Sequence, residues 1–385
     1  MHKCIDYYLY ICIIADIDDS DSIYGYLSMT AHHTLKRLAS PLIDPAVYDF
    51  WAQKLSPTLS WDRALARVVE RHIEARDTVS LTLKPNGHFA GFQPGQHVNV
   101  TVEVNGSRLT RSYSPSAAIR RNGLIRLTIK AIPEGKVSQQ LVHHTQVGDV
   151  IELSRAFGEM TLPNSPQPWL LIAAGSGITP IMSLLETLAA TPLRQPVSLI
   201  YWARTRADIC FSEALHQLAN RDPLLRIHTV LTREDQPLEN EFKGRPREDL
   251  FRHLVPDLEH RHVYACGPDG FVRSVQSLLD GHTQSFKAES FSPAPRAVAS
   301  GAPITVQLSK SQISVQVPSG TPLLEALEAQ GLKPAYGCRM GICNTCACQK
   351  EVGATADIRT GDAHGESGTI RLCISSATTD LTLEL

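Results

Sequence analysis

The residues of greatest chemical promise in this sequence are four cysteines near its C-terminal end, Cys338, Cys343, Cys346 and Cys373. The first three lie in Ala335-Tyr336-Gly337-Cys338-Arg339-Met340-Gly341-Ile342-Cys343-Asn344-Thr345-Cys346, and the C-x4-C-x2-C…C spacing is one that puts four thiolates on a [2Fe–2S] cluster. Three ligands from one loop demand a tight backbone. Gly337 and Gly341 let it curl and aim amides at the sulfurs, which helps to set a cluster's potential. A zinc site is the competing reading. It calls for paired C-x2-C knuckles, and one such pair is present beside two unpaired cysteines. Cys373 lies in Ile370-Arg371-Leu372-Cys373-Ile374, an apolar run that reads as strand. Cys348 falls outside the spacing and reads as a buried small residue. A two-iron cluster moves one electron at a time, so the rest of the chain is expected to supply those electrons or remove them.

Two segments suit a flavin. Arg111-Ser112-Tyr113-Ser114 ends a predicted strand. An arginine there can pair with a pyrophosphate, a tyrosine can pack on the flavin, and a serine hydroxyl can reach its N5. Alone, the tetrapeptide is also what an ordinary strand with an exposed arginine looks like. Ile129-Lys130-Ala131 then leads to Gly135-Lys136-Val137-Ser138, where a glycine and a serine at a helix start present amides to a phosphate. In this order, within a β-rich region, the pair favours a flavin.

Three further segments suit a nicotinamide nucleotide. Ala173-Ala174-Gly175-Ser176-Gly177-Ile178-Thr179-Pro180 follows a buried strand and opens a helix. Gly175 and Gly177 let the backbone approach a pyrophosphate, and Pro180 suits a first helical turn. The segment departs from G-x-G-x-x-G because residue 180 is proline, and a plain glycine turn would look similar. Arg204 and Arg206 follow the next strand and can pair with a ribose 2′-phosphate, favouring NADPH over NADH; a solvated basic loop is the alternative. Cys266-Gly267-Pro268 ends another strand. Its cysteine either stands by the nicotinamide ring or is a buried structural residue.

The elements that must position these residues divide the chain. Its 385 residues suffice for two or three domains, and a net charge of −2 without a long basic run argues against nucleic-acid binding. Five of the nine cysteines fall between 338 and 373, which points to a metal centre in a reducing compartment and to a cytoplasmic protein. Residues 1–57 read as an N-terminal extension. Tyr7–Ala15 is apolar but bracketed by Asp6 and Asp16, and falls short of the roughly 18 residues a membrane span needs. Only Lys3 charges its front and no A-x-A site follows, so residues 1–28 read as disordered or as an upstream extension of the frame, with Met29 a more natural start. Residues 41–57 read as a short helical lead-in. Residues 58–163 alternate in short strands, with an Asn105-Gly106 hairpin turn, as a small antiparallel barrel does. Residues 164–291 set continuous apolar runs between helical stretches, the pattern of an α/β domain with a parallel sheet. Residues 292–303 are rich in Pro, Ala, Ser and Gly and read as a linker. Residues 304–385 open with a hairpin and a helix capped by Gly331.

Taken together, these motifs make the chain similar to the ferredoxin–NADP reductase superfamily, in the branch with a C-terminal plant-type ferredoxin domain. The resemblance covers about residues 60–385. Members include reductase components of oxygenases, hydroxylases and fatty-acyl desaturases. The lead-in Leu38-Ala39-Ser40-Pro41-Leu42 before the flavin domain looks most like bacterial reductases that serve stearoyl-CoA desaturases. The resemblance implies an antiparallel β-barrel flavin domain, an α/β nucleotide domain and a β-grasp (α+β) ferredoxin domain. It implies that Arg111, Ser112, Tyr113, Ser114, Ile129, Lys130 and Gly135 to Ser138 (with Lys136 and Val137) hold FAD. Gly175, Ser176, Gly177, Thr179, Pro180, Arg204, Arg206, Cys266, Gly267 and Pro268 would meet NADPH, with NADH the alternative. Cys338, Cys343, Cys346 and Cys373 would hold the cluster, and Ser114 and Cys266 are the expected catalytic positions. Asn344 stands where C-G-x-C is common, and Ser176 where glycine or threonine is frequent. The implied path runs from NADPH to FAD to the cluster to a redox protein acceptor, an oxygenase or desaturase component. A membrane-bound acceptor would bring peripheral contact with a membrane. A free-standing reductase of a soluble ferredoxin or small molecule is the alternative activity, and a non-enzymatic redox sensor the alternative class.

Overall fold

The computed structural model describes residues 44–119, 122–239, 241–291 and 302–385. The expectations for residues 1–28 and for the linker over 292–301 lie outside the described residues. A helix α1 (Pro45–Leu55) comes first among the described residues, with Asp44 capping the Ala46 amide at 2.8 Å and proline in its first turn. Its buried Asp49 accepts hydrogen bonds from the Trp61 amide at 2.6 Å and the Ser60 hydroxyl at 3.0 Å, and pairs with Arg63 at 2.7 Å. That carboxylate pins α1 to the first barrel strand.

The first sheet is antiparallel: β1 (Ala64–Ala75), β2 (Thr78–Pro85), β3 (Val98–Val104), β4 (Ser107–Tyr113), β5 (Ile125–Lys130) and, beyond a short helix α2 (Lys136–Gln139), β6 (Val150–Leu153). The order is β4-β3-β6-β1-β2-β5. Asn105 and Gly106 both take positive φ, 51° and 72°, the left-handed pair that a two-residue hairpin needs between β3 and β4. The end strands meet through a Pro115–Leu127 bridge and a Ser116 amide bonded to the Arg126 carbonyl at 2.8 Å, which curls the sheet into a barrel. Alternate residues such as Leu81, Leu83, Val98, Val100 and Leu127 fill its core.

The second sheet is parallel. It contains β7 (Trp169–Ala174), β8 (Val197–Ala203), β9 (Leu225–Leu231), β10 (Glu241–Lys243), β11 (His262–Gly267) and β12 (Ser285–Ser290) in the order β10-β9-β8-β7-β11-β12. Helices α3 (Ile178–Leu188), α4 (Ser212–Arg221), α5 (Glu248–Leu254) and α6 (Asp269–Leu279) cover its two faces, which explains why β7 and β8 are buried at every position. The strand order reverses between β7 and β11, the switch point where such sheets take ligands.

The last module pairs β13 (Ile304–Leu308) with β14 (Ile313–Val317), follows with helix α7 (Leu323–Ala329), and completes its main sheet with β15 (Ala347–Val352), β18 (Gly368–Arg371) and β20 (Leu381–Leu383). A small second sheet holds β16 (Thr355–Asp357), β17 (Ala363–His364) and β19 (Ser375–Ala377). Gly331 takes φ 82° just past α7, as a helix end there requires. The strand expected to carry Cys373 stops at Arg371. Residues 372–374 form a turn closed by the Ile374 amide on the Arg371 carbonyl at 3.0 Å, because β18 and β19 belong to different sheets and the chain must swing between them. Leu372 and Ile374 remain buried in the core, so the apolar run was a signal of burial rather than of extension.

Candidate functional site

The loop between α7 and β15 brings the four expected cysteines into sulfur contact. The Cys338 amide donates to the Cys343 sulfur at 3.2 Å, and the Cys346 and Cys373 sulfurs stand 3.2 Å apart. Cys338 also contacts Cys373, which joins the two pairs. The amides of Met340, Ile342 and Cys343 converge on the Cys338 sulfur at 3.3, 3.3 and 3.4 Å. Bonding to Cys343 and Cys373, reinforced by amides, holds the Cys338 thiol far below the usual range, whereas the Cys373 thiol, beside Cys338 and Cys346, is pushed up. Gly341 takes φ 73°, and a Cβ there would stand 2.4 Å from Ile374, so the loop closes on the Cys373 turn only because residue 341 has no side chain. Two sulfur pairs bathed in amide dipoles suit two irons. Cys348 lies apart, buried in β15, where burial pushes its thiol up to about 11.

A cavity of about 890 Å³ separates this loop from the other modules. Met340, Asn344 and Cys373 line one side of it, Phe157 and Gly158 of the barrel another, and Lys287 and Glu289 of β12 a third. The end of β4 stands close by. Ser114 is buried, and its hydroxyl bonds to His97 Nδ1 at 2.7 Å, while His97 Nε2 meets Glu289 Oε2 at 2.5 Å. A carboxylate only accepts, so Nε2 carries a proton toward Glu289, and in a neutral imidazole Nδ1 accepts from Ser114. Burial pushes the Tyr113 phenol up, with Arg111 opposing the shift only in part. Arg111 donates to the Thr110 carbonyl at 2.7 Å. Ser138 braces the turn before α2 by donating to the Gly135 carbonyl at 3.0 Å and accepting from the Ile132 amide at 3.2 Å. Lys130 ties the barrel to the parallel sheet through Asp208 at 2.9 Å. Burial acts to raise the Asp208 carboxyl, but the bonds from Lys130 and Thr205 outweigh it and hold the group below its ordinary range.

At the switch point, Gly175 takes φ 54° in the turn after β7 and Ser176 is the exposed residue of that turn. A Cβ on Gly177 would lie 2.1 Å from the Cys266 carbonyl, so the loops after β7 and β11 touch backbone to backbone. Thr179 and Pro180 are buried in the first turn of α3, with the Thr179 hydroxyl on the Ser176 carbonyl at 3.1 Å. Cys266 is fully buried. Burial, and then the charge of Glu289, pushes its thiol well above the usual range, which keeps it neutral and unsuited to act as a nucleophile. The two arginines after β8, Arg204 and Arg206, are both exposed, and Arg206 also makes a two-pronged pair with Glu241 at 2.9 and 2.7 Å, which a phosphate would have to share or displace.

Three family models match consecutive parts of the chain: an oxidoreductase FAD-binding domain over residues 65–161, an oxidoreductase NAD-binding domain over 171–277 and a 2Fe-2S iron-sulfur cluster binding domain over 306–378. An NADPH oxidoreductase of Mycobacterium tuberculosis is 32% identical over 362 residues, covering 92% of each chain. The chain belongs to the ferredoxin–NADP reductase superfamily. The reductase is also 30% identical over 315 residues to the ferredoxin reductase component of a 3-ketosteroid-9-alpha-monooxygenase from the same organism, covering 75% of this chain and 84% of that one. Its fold matches phthalate dioxygenase reductase with a TM-score of 0.56 at 24% identity, over 83% of this chain and 97% of that one. It is thus an NAD(P)H-dependent oxidoreductase that uses FAD and a [2Fe–2S] cluster.

His97 and Glu289 were not singled out in the sequence. Gln96-His97-Val98 reads as strand entry and Glu289 as a charge near a strand end. The one available signal was weak: each is a polar residue beside an apolar strand.

Proposed function

We propose that the reductase carries electrons from NADPH through FAD and its cluster to an oxygenase, hydroxylase or desaturase partner. The observation that carries this reading is the cysteine loop facing the end of the flavin barrel across one cavity, within the same chain. A one-electron protein carrier fused to a flavin module suits a protein acceptor better than a two-electron small molecule. The monooxygenase component among its relatives supports the same class of acceptor. A membrane-bound desaturase would call for peripheral contact with the membrane. Among the described residues no helix is long and apolar enough to cross one.

When bound, flavin accepts one hydride, and so two electrons, from a nicotinamide and releases the electrons singly to an iron–sulfur centre. The chain's residues prepare each end. Arg111 and Tyr113 would hold FAD with the segment Gly135 to Ser138. Gly175 to Pro180 and Cys266 to Pro268 would seat the nucleotide, with Arg204 toward a 2′-phosphate. Cys338, Cys343, Cys346 and Cys373 would ligate the cluster. With His97 neutral, Ser114 would donate its hydroxyl proton to His97 Nδ1 and leave its oxygen free to accept from bound FAD, and His97 would link Ser114 Oγ to Glu289 at the cavity.

Anaerobic visible spectra with NADPH and, separately, NADH test the electron path. Flavin and iron–sulfur bands that both bleach with NADPH support it. A colourless protein, or one bleached in the flavin bands alone, sinks it. Cluster-dependent support of a purified oxygenase or desaturase then separates a protein acceptor from a small one.

A further inference from the structure

Asn99 belongs to no motif, yet it joins the flavin strand to the cysteine loop. It faces Ser112 across the β3–β4 ladder, and its Oδ1 accepts the Ser112 hydroxyl at 2.5 Å. Its backbone is fixed by Ser154, whose hydroxyl accepts from its N–H at 2.9 Å and whose N–H donates to its carbonyl at 2.9 Å. With Oδ1 occupied, Nδ2 points the other way, to Thr345 Oγ1 at 3.5 Å, across 246 positions of sequence. Thr345 lies between Cys343 and Cys346 and hydrogen-bonds the Cys343 sulfur through both side chain and backbone. The approach leaves no room at Gly337, where a Cβ would stand 2.6 Å from Asn99 Nδ2, 2.9 Å from Cys343 Sγ and 3.0 Å from Thr345 Oγ1. Asn99 itself is buried, 8% exposed, so both ends of its amide are committed.

We propose that Asn99 is a positioning residue for electron transfer from flavin to cluster, holding the cysteine loop in register with β4 through Thr345 on one side and Ser112 on the other. The inference rests on the reading of residues 111–114 as flavin-binding and of the four cysteines as cluster ligands. Asn99 acts through its neighbours and touches neither group. An amide suits the task because it offers an acceptor to Ser112 and a donor to Thr345 in one rigid plane. A displacement of about 1 Å between reacting groups can cost roughly 10²-fold in rate, so a single interfacial contact can govern one step without altering the others.

The test uses the full-length holoprotein, mixed anaerobically with NADPH and followed at flavin and cluster wavelengths. Asn99→Ala is expected to keep flavin reduction within about twofold and to slow cluster reduction about tenfold or more, the range set by small misplacements. The cluster midpoint potential, read by EPR titration, is expected to stay at the wild-type value. Amide hydrogen exchange across residues 335–346 and β3 is expected to quicken. Thr345→Val, which leaves the residues of β3 and β4 unaltered, is expected to slow the same step, Thr345→Ser to restore it, and the Asn99→Ala/Thr345→Val double variant to be no slower than the worse single. Wild-type cluster reduction in Asn99→Ala would overturn the proposal. So would slowing that comes with a shifted potential and unchanged exchange, because the effect would then lie in the cluster itself. A wild-type protein lacking either chromophore would overturn both this inference and the reading beneath it.

Discussion

The cysteine loop lines a cavity that the Ser114 site meets through Glu289, and the two are built in opposite ways. The loop takes three of its four sulfurs from nine consecutive residues, 338–346, and its amides bond to those sulfurs over two to five positions. The Ser114 site draws on three strands: His97 enters β3, Ser114 follows β4, and Glu289 sits on β12 of a different sheet, 192 positions from His97. A local site is specified by spacing and survives small movements of the modules. An assembled site exists only while the barrel and the parallel sheet stay docked. The difference separates the two half-tasks of the reductase. On the proposed reading, ligation would rest on one loop joined by Cys373 from the turn after β18, whereas proton handling at the flavin would belong to an interface.

Substitutions can break or sharpen this contrast. The largest effect is expected within the loop: Cys373→Ser should abolish bound iron and sulfide, while Cys348→Ser should leave both at wild-type content, as iron analysis and EPR would reveal. A full cluster in Cys373→Ser would remove that residue from the ligand set. Next comes the assembled site. His97→Ala should slow reoxidation of the reduced flavin by the cluster about 10²-fold, the lower end for loss of a positioned acid or base, with hydride transfer from NADPH and nucleotide affinity little changed and the cluster intact. An equal loss of nucleotide affinity would mean that His97 merely supports the fold. Gly177→Ala forces a Cβ to within 2.1 Å of the Cys266 carbonyl and should cost about 1–3 kcal/mol of stability, measured by denaturant unfolding, together with weaker nucleotide binding. The smallest effect concerns the docking of barrel on sheet. Lys130→Met removes the partner of Asp208 and, at a part-open site screened by solvent, should cost about 0.5–1 kcal/mol near neutral pH. The Asp208 carboxyl is depressed in the folded protein, so the stability it contributes is present above its unfolded value and lost as pH falls through the folded one. The gap between variant and wild type should therefore be level from about pH 5 to 8 and close below about pH 4. A gap that persisted in acid would assign the effect to packing of the lysine stem.

What the sequence made legible follows the same division. The cysteine spacing, the Asn105-Gly106 turn and the unbroken apolar runs of β7 and β8 are local signals with a direct physical meaning, and the structure realises each of them. The strand expected at Cys373 became a turn because an apolar run reports burial alone, and Leu372 and Ile374 are buried whichever way the backbone goes. Nothing near Arg206 in sequence announces its pairing with Glu241, which reaches it from β10, 35 positions away. His97, Glu289 and Asn99 stayed hidden for the same reason: their partners come from other strands or other modules, and no periodicity records such meetings.

The contact of Gly177 with the Cys266 carbonyl has a consequence for recombination between reductases of this family. The two loops it joins lie on opposite sides of almost the whole nucleotide module in sequence, yet they share one surface with no atom to spare. A chimera with a crossover between those positions would combine a β7 turn from one parent with a β11 turn from another, and any difference in their backbone paths would appear as a collision at that point. Crossovers placed before β7 or after β12 keep the two turns together, so the nucleotide module should be inherited whole.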